Sequence, residues 1–413
     1  MKFLVKFVNF IKFVFPIKSY DFKKFGYMII FLVYALGGIG IYLISNLQDE
    51  GENLAQKQVL AYGVGIVLIL FVAMINYHLW AKFFVVLYMI GVGLLLVCKY
   101  SNSLPIYGWA HYDARRWIKI GGDPTAGINN TGFEFQPSEI TKVVLIICIA
   151  KYFDLCRKHI KKLWVFAVSI VIMGIPTYFI FDQPDLSTTI VVVAVFATMV
   201  FVSGVSYKYI IPVIAVAVPT ALFLFWYVQQ DFQTLLDDYQ QNRILAMLHP
   251  EQFPDLRYQQ DNALAAIRSG GIMGKTLSGV EGIRASAYVP VSESDFIFSA
   301  VAEEFGFIGS VVVIVMYVCL ILLVLRIARR AVDYLGTMIA TGIAALLMFQ
   351  VFVNIGVVSS LLPNTGIALP FMSSGLSSLL VNLTMIGITL NISLQPKGAK
   401  TKPDNNDFGF IKA

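Results

Sequence analysis

The sequence is poor in charge, cysteine and histidine, and each shortage removes a class of protein. Charged residues make up 14% of the 413 positions, whereas a soluble domain carries about 25%. A water-soluble enzyme, a disordered chain and a disulfide-rich scaffold are therefore excluded. The four cysteines lie in or beside apolar runs without CxxC spacing, so we interpret them as packing residues. The four histidines are isolated, which argues against a zinc site built from protein ligands alone.

Apolar residues dominate the rest of the chain. They make up 58% of it, and the mean hydropathy is +0.74. A transmembrane helix needs about 20 predominantly apolar residues. We therefore predict an all-α polytopic integral membrane protein with about ten transmembrane helices. The predicted spans are residues 26–46, 58–77, 79–98, 138–156, 163–181, 186–204, 208–227, 305–326, 334–359 and 375–395.

Basic residues predict the orientation of these spans. Lysines precede the first span, and further basic clusters follow the fourth, eighth and tenth spans. Because cytoplasmic loops are enriched in Lys and Arg, the alternation of spans places all these clusters and both termini in the cytoplasm. Topology thereby explains the formal net charge of +6, and nucleic acid is not an expected partner.

Residues 1–25 form a basic segment ahead of the membrane domain, predicted at 26–396, and residues 397–413 a cytoplasmic tail. The first segment lacks the small-residue cleavage site of a signal peptide. Polar residues fall on one arc of it at helical spacing, at Lys2, Lys6, Asn9 and Lys12. This favours an amphipathic helix on the cytoplasmic leaflet, with a loosely ordered basic tail as the alternative.

Two connections are longer than a crossing requires, and both face outward in the predicted topology. They cover about residues 99–137 and 228–304. Long loops in compact proteins are usually functional or disordered. Their content of Trp, Tyr, Phe, Arg and Pro favours ordered structure, so we expect the chemistry of this protein at its outer face.

The first outer loop contains cations around an indole. Arg115, Arg116 and Lys119 flank Trp117. Guanidinium groups bind phosphate through paired hydrogen bonds, and Trp anchors at membrane interfaces. We predict that these residues bind a phosphate-bearing substrate. A basic loop that only touches lipid headgroups is the alternative.

Charged residues also open the fourth span and close the fifth. Glu139 and Lys142 are spaced i, i+3 and lie on one helix face. Ions that enter hydrocarbon are costly unless they are paired or face a cavity, so a substrate contact and a structural ion pair both stay open. Asp185 ends the acidic turn 182–185 and is either a further substrate contact or part of an ordinary turn.

Asp295 stands where the second outer loop returns to the membrane. It lies beside Phe296 and Phe298, and partial burial would raise its pKa and suit it to general-base work. The alternative is an acidic cluster with Glu303 and Glu304, favoured by the macrodipole at a helix N-terminus. Further on, the Pro- and Gly-rich stretch 362–375 predicts a re-entrant segment lining a cavity.

The order of these motifs resembles the SEDS family of shape, elongation, division and sporulation proteins, which includes RodA, FtsW and SpoVE. The motifs are ARRWI (114–118), QPSEITK (136–142), QPD (183–185), SESDFIF (292–298) with AEEFGFIG (302–309), and LPNTGIALPFMSSG (362–375). Each is weak alone, but together and in register they are specific. The resemblance covers about residues 26–396.

The resemblance implies a glycosyltransferase of the bacterial cytoplasmic membrane that polymerises lipid II into the glycan strands of peptidoglycan. In that reaction Asp295 corresponds to the essential outer aspartate of the family and would act as general base. The expected substrate-binding residues are Arg115, Arg116, Trp117, Lys119, Glu139, Lys142 and Asp185. The resemblance further implies a class B penicillin-binding transpeptidase as partner, beside membrane lipids. A divalent cation such as Mg²⁺ is an open expectation.

Two other functions compete with polymerisation. A lipid II flippase would use Glu139 and Lys142 for passage of the polar headgroup, and a scaffold would only recruit the transpeptidase. The chain also departs from the family pattern at two places. Leu376 replaces a glycine and is expected to crowd a close helix contact near the last span, and residues 122–131 lengthen the first outer loop.

Overall fold

The computed structural model describes most of the chain. The described residues are 12–47, 53–101, 106–111, 114–121, 133–183, 185–230, 232–236, 238–279, 284–364 and 366–395. Three predictions fall wholly or mostly outside these ranges: the amphipathic helix in 1–25, the tail 397–413 and the effect of the insertion 122–131.

Helices make up nearly all of the described structure. From residue 27 onward they are α1 (Tyr27–Leu47), α2 (Leu54–Met74), α3 (Tyr77–Lys82), α4 (Phe84–Tyr100), α5 (Pro137–Leu155), α6 (Leu163–Asp182), α7 (Leu186–Ser203), α8 (Tyr207–Tyr227), α9 (Asp238–Leu248), α10 (Pro254–Gly270), α11 (Gly274–Leu277), α12 (Ile297–Arg330), α13 (Tyr334–Val358) and α14 (Leu376–Leu394). The protein is thus an all-α polytopic membrane protein, as predicted.

Each of the ten predicted spans overlaps one of these helices. In the described part of the chain, eight helices are long and apolar enough to cross a membrane: α1, α2, α6, α7, α8, α12, α13 and α14. Helix α4 is apolar but shorter, and α5 carries several charged residues. The number of helices that cross the membrane stays a prediction.

Two predicted boundaries were wrong. The second and third spans, expected at 58–77 and 79–98, are instead α2 followed by the short α3 and then α4. The chain turns at Asn76, whose side chain accepts a hydrogen bond from the backbone N–H of His78 at 3.1 Å and caps α3. A hydropathy pattern does not register such a cap, because the residues on both sides of it are apolar.

The eighth span, predicted at 305–326, lies within α12, which begins earlier, at Ile297. The helix is kinked at Gly306, which has φ +66°. The N–H groups of Phe307 and Ile308 donate to the carbonyls of Gly271 and Ile272, outside the helix. A Cβ on Gly306 would overlap the carbonyl oxygen of Ile272, so the close approach of these two segments requires glycine.

Helix α13 lies at the centre of the bundle. It packs against α5, α7, α12 and α14, while α14 packs against α2 and α4 packs against α5. Helices α5, α13 and α14 are buried along most of their length. Helix α8 has no buried residue, so it presents its whole circumference to its surroundings.

The first outer loop contains a small antiparallel sheet that the sequence did not predict. Strands β1 (Ile106–His111), β2 (Ala114–Ile120) and β3 (Phe133–Phe135) follow one another in that order. Trp109 of β1 faces Trp117 of β2 across the register. The ARRWI motif is extended, and its pairing with β1 is irregular, because Trp109 pairs with Trp117 while Ala110 pairs with Arg115.

An irregular segment joins α13 to α14 where a re-entrant segment was predicted at 362–375, and several of its residues line a cavity. Its backbone carbonyls are satisfied by side chains from the bundle: Tyr317 donates to Pro370 at 2.5 Å, Gln58 donates to Ser373 at 3.0 Å, and Tyr62 donates to Phe371. Irregular backbone inside a membrane protein requires such partners. The segment is therefore held by buried hydrogen bonds.

Leu376, which stands where the family pattern has a glycine, is 42% exposed at the start of α14. Its expected effect on helix packing stays a prediction.

The closest approach of α1 to the segment before α14 gives a first prediction. A Cβ on Gly40 would overlap the carbonyl oxygen of Met372, whereas a Cβ on Gly38, in the same helix, would meet no atom within 4 Å. We expect Gly40→Ala to lower stability by about 1–3 kcal/mol through forced backbone shifts. Thermal unfolding of the purified protein in detergent measures this effect.

Gly38→Ala is the matched control, since it gains the same helix propensity without the clash. Its unfolding midpoint should stay level or rise. Equal midpoints for the two variants would contradict the packing described here.

Candidate active site

A polar cavity opens at the end of the bundle where α5 and α12 begin. This outer end lies opposite the basic residues 157–162, which follow the far end of α5. The cavity has a volume of about 310 Å³. It is lined by the start of α5, by β2, by α9 and α10, and by the segments that precede α12 and α14. Four residues predicted for substrate contact or catalysis line it: Arg116, Trp117, Glu139 and Asp295.

Asp295 occupies the turn just before α12. Its backbone carbonyl accepts a hydrogen bond from the amide of Asn354 on α13 at 2.7 Å, and the same amide donates to the carbonyl of Ile367 at 2.7 Å. One buried amide thus ties the aspartate to the segment before α14. The Asp295 carboxylate accepts a hydrogen bond from the Ser294 hydroxyl at 3.1 Å.

Burial raises the pKa of the Asp295 carboxyl above its ordinary value, against the lowering effects of the Ser294 hydroxyl, Arg243 and Arg116. The side chain nevertheless stays partly accessible and lines the cavity. A Cβ on Gly366 would lie 3.1 Å from its Oδ2, so glycine at that position leaves the carboxylate uncovered. Asp295 therefore combines access with an elevated proton affinity, as a general base requires.

Two arginines place positive charge near this carboxylate. Arg116 on β2 donates through Nε to the carbonyl of Gln183 at 3.2 Å. Arg243 on α9 donates through Nη1 to the carbonyl of Asn364 at 3.0 Å. Each guanidinium is anchored at one edge by a backbone carbonyl, and both line the cavity. An arginine carries five N–H donors in a planar fork, the geometry that matches an anionic group such as a phosphate.

Glu139 and Lys142 form a buried ion pair on the first turns of α5. Lys142 Nζ lies 2.7 Å from Glu139 Oε1, and both residues are buried. Glu139 lines the cavity, and its buried Oε2 has no hydrogen-bond partner among the described residues. Lys142 instead lines a small apolar cavity of about 20 Å³ deeper in the bundle. The two residues thus form an ion pair whose carboxylate reaches the outer cavity, while contact with a substrate stays a prediction.

Three predicted substrate-binding residues do not line the cavity. Arg115 is exposed on β2 beside Arg116 and is not among the residues that line the cavity. Lys119 is buried, lies 4.0 Å from the centre of the Trp109 ring and pairs with Glu134 at 3.4 Å. Lys119 on β2 thus contacts both neighbouring strands, β1 through Trp109 and β3 through Glu134, and stabilises the sheet.

Asp185 is the third of these residues, and it caps a helix. Its Oδ1 accepts from the backbone N–H of Thr188 at 3.1 Å at the start of α7. Its Oδ2 lies 3.4 Å from the amide nitrogen of Gln136, a residue that does line the cavity. Asp185 thus supports the cavity wall through Gln136.

Sequence reasoning missed Arg243, Gln259 and Asn364. Asn364 donates to the Gln259 side chain at 2.6 Å, which joins α10 to the segment before α14. Nothing in the pattern around Arg243 sets it apart from other surface arginines, because its role depends on how α9 docks. Asn364 lies in the LPNTG motif, which did give a signal.

Glu303 and Glu304 lie outside the cavity and hold the outer loop against α12. Glu303 accepts from Lys275 and from the backbone N–H groups of Ala285 and Ser286, both at 2.7 Å. Glu304 pairs with Arg284 at 2.7 Å. These carboxylates fix the chain that leads to Asp295.

The fold is that of a polytopic helical membrane protein with a polar cavity at the end of the bundle where α5 and α12 begin. Residues 24–398 match the family model described as "Cell cycle protein", which groups FtsW, RodA and SpoVE. The chain belongs to this family.

Curated relatives match along most of the chain. It is 32% identical over 394 residues to a probable peptidoglycan glycosyltransferase FtsW of Geobacter metallireducens, covering 93% of this chain and 98% of that one. It is 32% identical over 361 residues to the peptidoglycan glycosyltransferase MrdB of Escherichia coli, covering 85% and 88%.

Solved structures share the fold. A chain from a peptidoglycan synthase complex, described for the structural coordination of polymerisation and crosslinking, superposes with a TM-score of 0.70 at 26% identity and covers 91% of this chain and 98% of its own. The rod shape determining protein RodA of Thermus thermophilus gives a TM-score of 0.60 at 23% identity, with 91% and 97% covered.

The buried ion pair gives a second prediction. Lys142→Met leaves the Glu139 carboxylate buried without its partner, and breaking such a pair costs about 3–5 kcal/mol. We expect a clear fall in the thermal unfolding midpoint in detergent, which the double variant Glu139→Gln, Lys142→Met should partly reverse.

Lys151→Met is the matched control on the same helix. Lys151 contacts the partly exposed Asp154 at 3.4 Å, and pairs of this kind contribute about 0–1 kcal/mol. A fall in the Lys151 variant as large as that in the Lys142 variant would contradict the assigned role of the pair.

Proposed function

We propose that this protein polymerises lipid II into β-1,4-linked glycan strands at the outer face of the bacterial cytoplasmic membrane, with Asp295 as general base. As a member of its family with full-length peptidoglycan glycosyltransferase relatives, it is a peptidoglycan glycosyltransferase. The observation that carries the proposed site is the accessible Asp295 carboxylate in a cavity that Arg116 and Arg243 also line.

The chemistry follows from the substrate. An α-linked sugar pyrophosphate that gives a β-linked product requires one displacement with inversion at the anomeric carbon. Asp295 takes the proton from the attacking sugar hydroxyl while the hydroxyl oxygen bonds to that carbon. The bond from the carbon to the pyrophosphate oxygen breaks, and the leaving group carries the electron pair away. General-base catalysis of this type contributes about 10²–10⁴-fold.

Charge on the departing pyrophosphate needs hydrogen-bond donors in the same cavity as Asp295. Of the cations expected for this role, Arg116 lines the cavity, and Arg243 joins it there. Guanidinium forks bind phosphate oxygens through paired hydrogen bonds. We therefore assign the leaving group to Arg116 and Arg243, while Arg115 lies outside the cavity and Lys119 supports the sheet.

A divalent cation such as Mg²⁺ fits this site only together with substrate. Mg²⁺ at phosphate sites is held by one or two carboxylates and by phosphate oxygens. Glu139 and Asp295 are the carboxylates of the cavity among the described residues, and no group of three or more His, Cys, Asp or Glu side chains converges in that part of the chain. Any such ion would enter with the pyrophosphate, held by Glu139.

The partner is proposed to be a class B penicillin-binding transpeptidase, which would crosslink the strands this protein makes. The chain resembles a member of a peptidoglycan synthase complex that coordinates polymerisation with crosslinking. Such a partner would contact the bundle and the outer helices α9 and α10.

Transport of lipid II is the competing function. A flippase needs a polar path across the membrane, but the assigned charged residues converge at the outer end. Beneath Glu139, the cavity reached by Lys142 is lined almost entirely by apolar side chains. This arrangement favours polymerisation.

A third prediction tests the base. Purified Asp295→Asn should form no glycan ladder from fluorescent lipid II on a gel, because the amide accepts no proton, and should keep the wild-type unfolding midpoint. Asp261→Asn, an exposed acid on α10, is the control and should polymerise normally. Full activity of Asp295→Asn would overturn the assignment, and lipid II movement without ladders in the wild type would favour the flippase.

A fourth prediction concerns pH. The base works only when ionised, so activity falls as pH drops through the raised pKa of Asp295. Arg243 lowers that pKa, hence Arg243→Gln should raise it and move the acidic limb of the pH–rate profile upward by up to about one unit. The exposed Arg268→Gln on α10 is the control. An unmoved limb in Arg243→Gln would show that this guanidinium does not act on Asp295.

A further inference from the structure

A second polar cavity lies at the opposite, inner end of the bundle, away from the proposed reaction. Its volume is about 410 Å³, larger than that of the outer cavity. Three parts of the chain enclose it: the segment that enters α1, the last turns of α12, and the end of α14. The proposed polymerase mechanism uses none of them.

Four cations converge on this cavity. Lys23 and Lys24 come from the segment before α1, and Arg326 and Arg330 are spaced i, i+4 on one face of α12. Lys24 pairs with Asp21 at 2.8 Å. Within the described residues, Lys23, Arg326 and Arg330 have no carboxylate within 4.0 Å. The cavity therefore has an excess of positive charge.

The lysines are held by folded backbone. They belong to the 3₁₀-helix Phe22–Lys24, which the Asp21 side chain caps by accepting from the N–H of Lys23 at 3.3 Å. The backbone N–H of Asp21 donates to the carbonyl of Leu394 at 2.9 Å, so this turn is fixed to the end of α14. Lys23 and Lys24 therefore face the cavity from a backbone turn that hydrogen bonds hold in place.

The remaining walls of the cavity are largely apolar. Met28 and Ile29 of α1 face Leu323 and Ile327 of α12. Leu323 and Ile327 precede the two arginines by three residues each, and this spacing keeps apolar and cationic side chains adjacent on one helix face. A ligand that fits must present an anionic group to the cations and an apolar chain to the wall formed by α1 and α12.

We propose that this cavity binds the headgroup of an anionic phospholipid of the inner leaflet, with an acyl chain along α1 and α12. Positive-inside topology accounts for cations on this side, but not for their convergence on one cavity with an apolar wall. Clusters of Lys and Arg between helices at this face are a recognised chemistry for anionic headgroups.

The uncompensated positive charge of the cavity argues against either terminal segment of this chain as its ligand. Residues 1–11 carry lysines and no acid, and residues 396–413 carry four lysines against two aspartates. Both segments would add positive charge to a cationic cavity. An anionic lipid supplies the complementary charge and the apolar chain together.

Native mass spectrometry of the full chain in detergent tests the proposal, with phosphatidylglycerol and phosphatidylcholine of identical acyl chains as probes. We expect retention of phosphatidylglycerol and little retention of phosphatidylcholine. The triple variant Lys23→Gln, Arg326→Gln, Arg330→Gln should weaken phosphatidylglycerol binding at least about tenfold. A third arm with inorganic phosphate separates a lipid site from a phosphate site.

The matched control is Lys158→Gln, Lys161→Gln, Lys162→Gln, which removes the same charge from exposed positions of another inner loop. It should bind within about twofold of the wild type. Equal losses of phosphatidylglycerol binding in the two triple variants would show that diffuse surface charge, not this cavity, binds the lipid. Displacement of the lipid by inorganic phosphate would exclude a site that depends on the acyl chain. Either result overturns the proposal.

A variant that retains every charge guards against a folding defect in the first triple variant. Ile327→Trp fills the apolar wall of the cavity and should also weaken phosphatidylglycerol binding. Unchanged binding in a folded Ile327→Trp protein would contradict the proposed path of the acyl chain.

Discussion

The high cost of an unpaired ion in a low-dielectric medium is the constraint on which this structure depends. Glu139 and Lys142 enter the bundle as a pair at 2.7 Å, and Glu303 and Glu304 are buried against basic side chains and backbone N–H groups of the outer loop. Asp295 differs from them, because within the described part of the chain its carboxylate accepts a hydrogen bond only from the Ser294 hydroxyl, while two arginines act on it from further away. The effect of burial therefore outweighs these interactions and raises the pKa of the Asp295 carboxyl.

The same constraint explains how the outer site is assembled. Its walls come from segments far apart in the sequence, and backbone groups in each segment are satisfied by side chains of another. Asn354 joins the turn of Asp295 to the segment before α14, and Arg243 joins α9 to Asn364 in that segment. Glycine at 366 leaves room beside the carboxylate. Fixing the donors before substrate arrives avoids reorganisation during the reaction.

The sequence predicted the class of protein and the approximate positions of its helices, and it placed the proposed site at the end of the bundle where the polar cavity opens. It also identified four candidate site residues that line the cavity, because charged and aromatic residues are conspicuous in an apolar chain: Arg116, Trp117, Glu139 and Asp295. It could not predict the break before α3, the helix-capping role of Asp185 or the burial of Lys119 beneath Trp109. These features depend on tertiary contacts, as does Arg243, whose local sequence carries no signal.

The proposed mechanism requires that Asp295 is a base of raised pKa that titrates with the reaction. Infrared difference spectroscopy of the purified wild type against Asp295→Asn, recorded across a pH series, isolates the carboxyl band of this residue. We expect a pKa above the ordinary aspartate value of 3.8, coincident with the acidic limb of glycan polymerisation. A carboxyl that titrates at or below 3.8, or an acidic limb that does not follow it, would contradict the claim.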